Sequence, residues 1–375
     1  MQPLARDGYD AAAVRRQLLT DGTSIRFGVE LVRPDLTVIE DISDDVESLT
    51  VSRNMTVDVH GAVRLRISRR LRWGVDRVRV YALLTAAGIT TRWNLGVYVI
   101  DKPDEPSGVD LVTFDAAGKD VLSLLQRLVG DAYTIPAGTK IVDAVNAVIA
   151  ASGVGAPVLI DADSAAATLP AARSWPLFPI RGASGDQPAS WLKVANELLG
   201  MIAHEPLWAD WDGRLRSRKL ADVTAREIEW TFTMGDTAQG IVEPEYATST
   251  DVWGAPNRWF FYSRGLYGPP VAGSTLYIKD NLDVGPSSQL YLGVVPAPPV
   301  ALDAWDYASL VLHGDELALK QMRGTTVIKA KIGDFLALWH DDIAEWIDAG
   351  GVSRVRGRSW SMPDTGPFSM EWEVV

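Results

Sequence analysis

Residues 93–103 read WNLGVYVIDKP and residues 114–153 read FDAAGKDVLSLLQRLVGDAYTIPAGTKIVDAVNAVIAASG. The change of period between them decides the fold. From Lys119 the apolar spacing passes from two to about 3.6, with Val121, Leu122, Leu125, Leu128 and Val129 on one helical stripe and Gly130 placed to end it. After an extended connector over 133–138, Thr139 is positioned as the N-cap of a second helix with Ile141, Val142, Val145, Val148 and Ile149 inward, ending at Ser152–Gly153. The order is strand, helix, short extended turn, helix.

Upstream, residues 24–114 hold seven short runs rich in Val, Ile and Leu, separated by turn formers such as Pro34–Asp35, His60–Gly61 and Pro103–Asp104. Alternation is clearest over 77–81, where Val78 and Val80 face one side and charges the other. Seven strands at this spacing predict a sandwich or barrel. Downstream, a third helix is expected over Trp191–Ile202. It leads into LWADWDGRLRSR (207–218), where Asp212–Gly213 signals a two-residue type I′ hairpin. The stretch 155–187, rich in Ala, Pro, Ser and Gly, reads as surface loops. Strands return at 227–234, 255–263, 274–281 and 289–295, then a helix over 303–320, a strand within 325–340 and a last strand at 368–375. There Phe368, Met370, Trp372 and Val374 share the inward face. The reading is an α+β chain: two β-barrel-like tube domains, 1–114 and 223–375, separated by an inserted α/β module, 115–222.

With 375 residues, 47% hydrophobic and 22% charged, the composition is that of a globular protein of two or three domains. No cysteine is present, which removes disulfide scaffolds and thiolate chemistry. The N-terminus lacks an apolar core of signal-peptide length, and no run is apolar enough to predict a membrane span. A net charge of -12 argues against a nucleic-acid grip. The basic run 64–79 holds seven arginines interleaved with apolar residues at strand spacing, the pattern of a sheet with one solvated face.

No catalytic motif accompanies the pattern. The four histidines, His60, His204, His313 and His340, lie outside any HExxH motif, and neither His313 with Asp315–Glu316 nor His340 with Asp341, Asp342 and Glu345 offers the three or four converging ligands that zinc needs. There is no G-x-S-x-G elbow, P-loop or dinucleotide fingerprint, so no enzyme activity and no cofactor are expected. Of 14 tryptophans, Trp93, Trp191, Trp230, Trp259 and Trp372 fall at inward positions, whereas Trp175, Trp208, Trp211 and Trp253, read as loop or hairpin residues, are the interface candidates.

The series 92–103 with its lead-in to LVTFD, 131–153, 191–215, Asn257–Arg258–Trp259 and KAKIGDFLALW (329–339), where Gly333–Asp334 turns into a strand, resembles phage tail hub proteins, the ring-forming components of the tail tip in long-tailed actinobacterial phages. The resemblance implies a structural virion protein made in the host cytoplasm. Three chains, each with two tube-type β domains, would match a sixfold tail tube as a homotrimer. It further implies contacts with the distal tail or tail tube protein, the tape measure protein and tail fibre or tip proteins, and a channel that stays closed until DNA passes without specific binding. Some relatives carry an appended lysin domain; this chain stops after its last strand, and no cell-wall hydrolysis is expected. A glycan-binding or glycan-cleaving tail tip protein using the loop tryptophans is the alternative from another class, and a spike carrier of a cellular injection system shares the fold logic.

Overall fold

A computed structural model describes residues 1–20, 23–101, 103, 113–161, 166–175, 189–234, 242–250, 256–263, 276–280, 294, 296–302, 307–322, 326–332, 339–365 and 368–375. Helix α1 (Ala11–Leu18) opens the chain, its N-cap Asp10 accepting from Ala13 N at 2.7 Å. Seven strands follow: β1 (Ser24–Val32), β2 (Val38–Asp41), β3 (Val46–Asn54), β4 (Gly61–Ile67), β5 (Arg77–Ala86), β6 (Ile89–Ile100) and β7 (Phe114–Asp120). They pair antiparallel in the order β3-β4-β7-β6-β5-β1-β2. In β4 and β7 every second residue is buried, the period-two signal of a sheet with one packed face. The arginines between them are satisfied within the chain: Arg66 pairs with Glu47, Arg69 with Glu40 and Asp45, Arg72 with Asp76, and buried Arg77 donates to the carbonyls of Pro34 and Val154.

The middle of the chain forms α2 (Leu122–Leu125), β8 (Tyr133–Ile135), α3 (Ile141–Ala151), β9 (Val158–Ile160), β10 (Arg173–Trp175), α4 (Trp191–Met201), β11 (Trp208–Ala209) and β12 (Leu215–Ser217) around its own core of Leu125, Val145, Val148, Val194 and Leu198. Four expectations change here. The first helix is a single turn, because Val129 N donates to Ala189 O at 3.0 Å and Leu128 bridges Ser190, which draws residues 128–129 into pairing with the approach to α4. Thr139 does not cap α3; its hydroxyl donates to Pro136 O, and Ile141 N is satisfied by Ala167 O. The stretch expected to be loop contains β9, paired parallel to β12, and β10, paired with β8.

The Asp212–Gly213 hairpin is also differently built. Asp210 N donates to Arg214 O and Gly213 N to Asp210 O, both at 2.9 Å, and only Gly213 has positive φ, at +87°. This is a three-residue loop with a glycine bulge, selected because the buried Asp210 carboxylate accepts from the Asp212 and Arg214 amides at 2.9 Å. A Cβ on Gly213 would stand 2.6 Å from Val97 of β6. Gly213→Val is therefore expected to destabilise the chain by about 2–4 kcal/mol, combining positive-φ strain with overpacking. A denaturation midpoint unchanged within error would remove this hairpin as a contact to the first sheet.

The C-terminal part holds β13 (Trp230–Thr233), β14 (Val242–Thr250), β15 (Arg258–Ser263), β16 (Leu276–Asp280), β17 (Val300–Leu302), α5 (Tyr307–Met322), β18 (Thr326–Ile332), β19 (Ile343–Asp348), β20 (Gly351–Pro363) and β21 (Phe368–Val374). β15, β16 and β17 form a small sheet with one face against α5. The strand expected over 289–295 lies, apart from Val294, outside the described residues, as do Gly333–Asp334.

The largest departure concerns separation. Two barrel-like units were expected; instead the seven N-terminal strands and β13, β14, β18, β19, β20 and β21 join one 13-stranded sheet, and no closed barrel forms among the described strands. The joint is β20, whose residues 351–356 pair with β19 and whose residues 359–363 pair with β3, while its other edge pairs with β21. Val51 and Leu65 from one region and Trp360, Met362 and Trp372 from the other belong to one core.

Candidate assembly surface

The register lays one polar row across both regions. Lys119 pairs with Ala62, Ala62 with Ser52, Ser52 with Ser361, Ser361 with Ser369 and Ser369 with Lys331, so six strands present these side chains on one face. Alternation places this face opposite the shared core. Its centre is small and hydroxylated. Two ion pairs lie beside it, Arg66 to Glu47 at 2.9 Å and Lys329 to Glu371 at 3.2 Å. A groove of about 760 Å³ lies along the row, bounded by the 55–60 turn and by Tyr246 and Ala247. The sheet ends in β2, paired with β1, and β14, paired with β18, so each presents one open edge among the described residues. β2 exposes Val38 and Ile39 by 47% and 44%. An open edge with apolar side chains is a template for strand addition by another chain.

Behind this face, three segments remote in sequence meet in a buried polar knot. From β3, Arg53 Nη2 donates to Ala209 O at 2.9 Å and reaches to 3.5 Å from His340 Nδ1, and its guanidinium lies over the Trp339 ring at 4.6 Å. Arg53 Nη1 stands 4.0 Å from Asp120, which accepts from Gly61 N at 2.7 Å and Leu122 N at 3.0 Å. Burial pushes the Asp120 carboxyl up and the Arg53 guanidinium down, and each is partly held in its charged form by the other. The module contributes Asp210, held by Arg214 Nε at 2.8 Å and Arg216 Nε at 2.7 Å, and Glu205, held by Arg218 Nε at 2.8 Å. The C-terminal part contributes Asp341, at a φ of +55° and bonded by Arg218, Arg226 and Arg356, and Asp342, which accepts from Trp339 N and the Met1 amino group. Asp341 leads into β19 through a bend.

The interface candidates scatter. Trp175 lies in β10, buried, with Nε1 donating to Glu197 at 2.8 Å, so it belongs to the module core and not to a loop. Trp208 is buried in β11 and stacks on His340 at 4.4 Å with an interplanar angle of 9°. Trp211 is half-buried at the hairpin tip, edge-on to Trp339 at 6.3 Å. Trp253 lies outside the described residues. Asp212 accepts from Asn94 Nδ2 at 2.7 Å, which ties the hairpin to β6. Of the histidines, His60 and His340 meet at 5.1 Å, whereas His204 sits apart beside Ser217. Among the described residues, no group of three or more His, Asp or Glu side chains converges to hold a metal, and no helix is long and apolar enough to cross a membrane.

Sequence reasoning missed Arg53 and Asp120, and weighed Asp341 only as a metal ligand beside His340. The first two carried a signal, since each occupies an inward phase, after Leu49 and Val51 in β3 and after Phe114 and Ala116 in β7. A charge on an inward phase is a buried charge, and a buried charge needs a partner.

No family model matches the chain, and no curated protein matches it in sequence. Solved structures do share its fold. A tail protein from Neisseria meningitidis MC58 superposes with a TM-score of 0.60 at 12% identity, over 94% of this chain and 96% of that one. The 43 kDa tail protein of prophage MuSo2 from Shewanella oneidensis gives 0.58 at 11% identity, over 93% and 98%. Prophage tail protein gp18 from Listeria monocytogenes EGD-e gives 0.51 at 11% identity, over 92% and 94%. The chain has the fold of prophage tail proteins along nearly its whole length.

Proposed function

We propose that the chain is a structural virion protein, a hub at the distal end of a phage tail tube, assembled as a homotrimer. The observation that carries the reading is the single sheet in which strands from both ends of the chain are joined through β20 and β3. In this reading each chain counts as two β units, 1–114 and 223–375, fused through that joint, with the module 115–222 inserted between them. Three chains then supply six units, which matches a sixfold tube. The open edges of β2 and β14 support ring closure by strand addition between copies.

In this reading the serine-rich row faces the channel. The uncharged, hydroxylated centre of the row lets a polyanion slide past, because tight phosphate binding needs clustered free cations and Lys119 and Lys331 stand at its two ends. The distal tail or tube protein would lie on one side of the ring, the tape measure protein in its bore and the fibre or tip proteins on the other side, with the channel shut until ejection. No catalytic step is assigned. The glycan reading finds little support here, since Trp175 and Trp208 keep no free ring face for a sugar.

Native mass and electron microscopy of the purified chain test the hub. A mass of three chains and a threefold ring with an open bore are expected. A single-chain mass that persists as concentration is raised would sink the self-assembling trimer. Val38→Lys with Ile39→Lys on the edge of β2 should shift the population from ring to monomer while leaving the melting temperature of the monomer unchanged.

A further inference from the structure

Two half-buried histidines from distant parts of the chain meet at one site. His60 lies in the turn between β3 and β4, and His340 lies just before β19; their rings are 5.1 Å apart. His340 is sandwiched further, against the indole of Trp208 at 4.4 Å, with its Nδ1 beside Met55 Sδ at 3.0 Å and Arg53 Nη2 at 3.5 Å. His60 Nδ1 is buried and has no hydrogen-bond partner. Each of the three regions therefore supplies one wall: Arg53 and His60 from the first sheet, Trp208 from the module, and His340 from the C-terminal part.

We propose that His60, His340, Arg53 and Trp208 form a proton-sensitive clasp, which holds the module against the two β regions at neutral pH and loosens in acid. A proton on His340 Nδ1 removes its acceptor lone pair and sets an imidazolium against the guanidinium of Arg53. A proton on His60 places a second cation beside the first and beside Arg53. This does not depend on the chain being a tail hub.

The groups facing the pair come from every surrounding element. Arg53 from β3, Arg218 from the module and Arg356 from β20 oppose a charge on His340, as does His60, and Arg53 opposes one on His60. Glu205, at 3.9 Å from His340 Nε2, and the Trp208 face favour one. Glu205 is already committed to Arg218 at 2.8 Å, so three guanidiniums and burial outweigh it. Asp120, Asp341 and Asp342 complete the shell, each bonded elsewhere. Burial and Arg53 hold His60 down to about 3, and burial with His60 and the arginines holds His340 well below 6.5.

The sign follows from linkage. The unfolded chain takes up these protons near pH 6.5 and the folded chain does not, so stability is full above that pH and declines below it. The unfolding constant rises about tenfold per pH unit for each histidine, or about a hundredfold for the pair. Asp120 and Glu229, whose carboxyls burial holds above the usual range, respond in the opposite sense, so the histidine contribution must be isolated by substitution.

The test compares urea unfolding of the full chain and of the double variant His60→Gln, His340→Gln between pH 6.5 and 5.0. The wild type should lose stability more steeply, by roughly two to three hundredfold in the unfolding constant over that interval relative to the variant. Equal slopes overturn the clasp. Should the variant not fold, amide exchange on the wild type decides, corrected for the intrinsic pH effect. Protection lost at 205–210 and 339–343 by pH 5, with β5 and β6 still protected, supports the clasp, whereas no local loss overturns it. Histidine ring resonances of His60 and His340 that titrate near 6.5 in the folded chain would also overturn it.

Discussion

Arg53→Ala is expected to reduce the unfolding free energy by about 3–5 kcal/mol, the range found when one partner of a buried ion pair is removed. The guanidinium is 2% exposed and serves three regions at once: Asp120 at the end of β7, the Ala209 carbonyl of the module, and the Trp339 ring ahead of β19. Removing it leaves Asp120 buried with two backbone donors and no countercharge, and returns the Ala209 carbonyl to Trp339 Nε1 alone, at 3.1 Å. Arg53→Lys should recover little, since one ammonium cannot span the carbonyl and the carboxylate in the geometry of the fork. The Asp120 charge supplies a diagnostic. Arg53→Ala with Asp120→Asn should be more stable than Arg53→Ala alone, because the orphaned carboxylate is then gone. If the single variant loses less than about 1 kcal/mol in chemical denaturation, the knot is not what holds the three regions together.

Much of the architecture is legible in the chain, and the failures share a cause. The alternation in 114–120 and 368–374 survives because those strands pair without a break in phase on their packed face, whereas in 77–81 Arg77 and Tyr81 are buried beside the valines and the pairing with β6 shifts register between Arg79 and Tyr81. β20 escaped notice although it is the longest strand. The bulge between Gly357 and Ser359 moves its inward residues from Val355 to Trp360 and Met362, so an odd phase becomes an even one and no single period fits 351–363. α4 was legible through its apolar spacing, and Ser190, whose hydroxyl accepts from Lys193 N at 3.1 Å, caps it; the helix at 121–129 was not, since its apolar stripe is spent on pairing with 189–190. The tryptophans mislead for a related reason. Local sequence gives exposure only through period, and the residues around Trp175 and Trp208 form strands of three and two residues, too short to show one. The union of the two β regions is longer-ranged still, resting on 359–363 meeting 50–54 across the chain.

Removing residues 368–375 should unfold the N-terminal sheet as well as the C-terminal one. β21 lies between β18 and β20, and its inward Phe368, Met370 and Trp372 are each buried, contributing on the order of 2 kcal/mol apiece on burial. The loss does not stop at the sheet they close. Phe368 meets Phe27 of β1 edge-on at 6.5 Å, Trp372 meets Phe232 of β13 at 5.1 Å, and Arg15 of α1 lies over Trp230 at 4.8 Å, so side chains from both ends of the chain interlock. Without β21, β20 keeps no partner on that edge, and β20 is the strand that holds β3. The milder Trp372→Ala should cost about 3–5 kcal/mol. It should also leave one cooperative transition, seen at the same midpoint by far-UV circular dichroism and tryptophan fluorescence. Two independent domains would behave otherwise. The truncated chain would then keep a protease-resistant N-terminal fragment, and Trp372→Ala would split the melt in two; either result would show that the shared core does not make the two regions one folding unit.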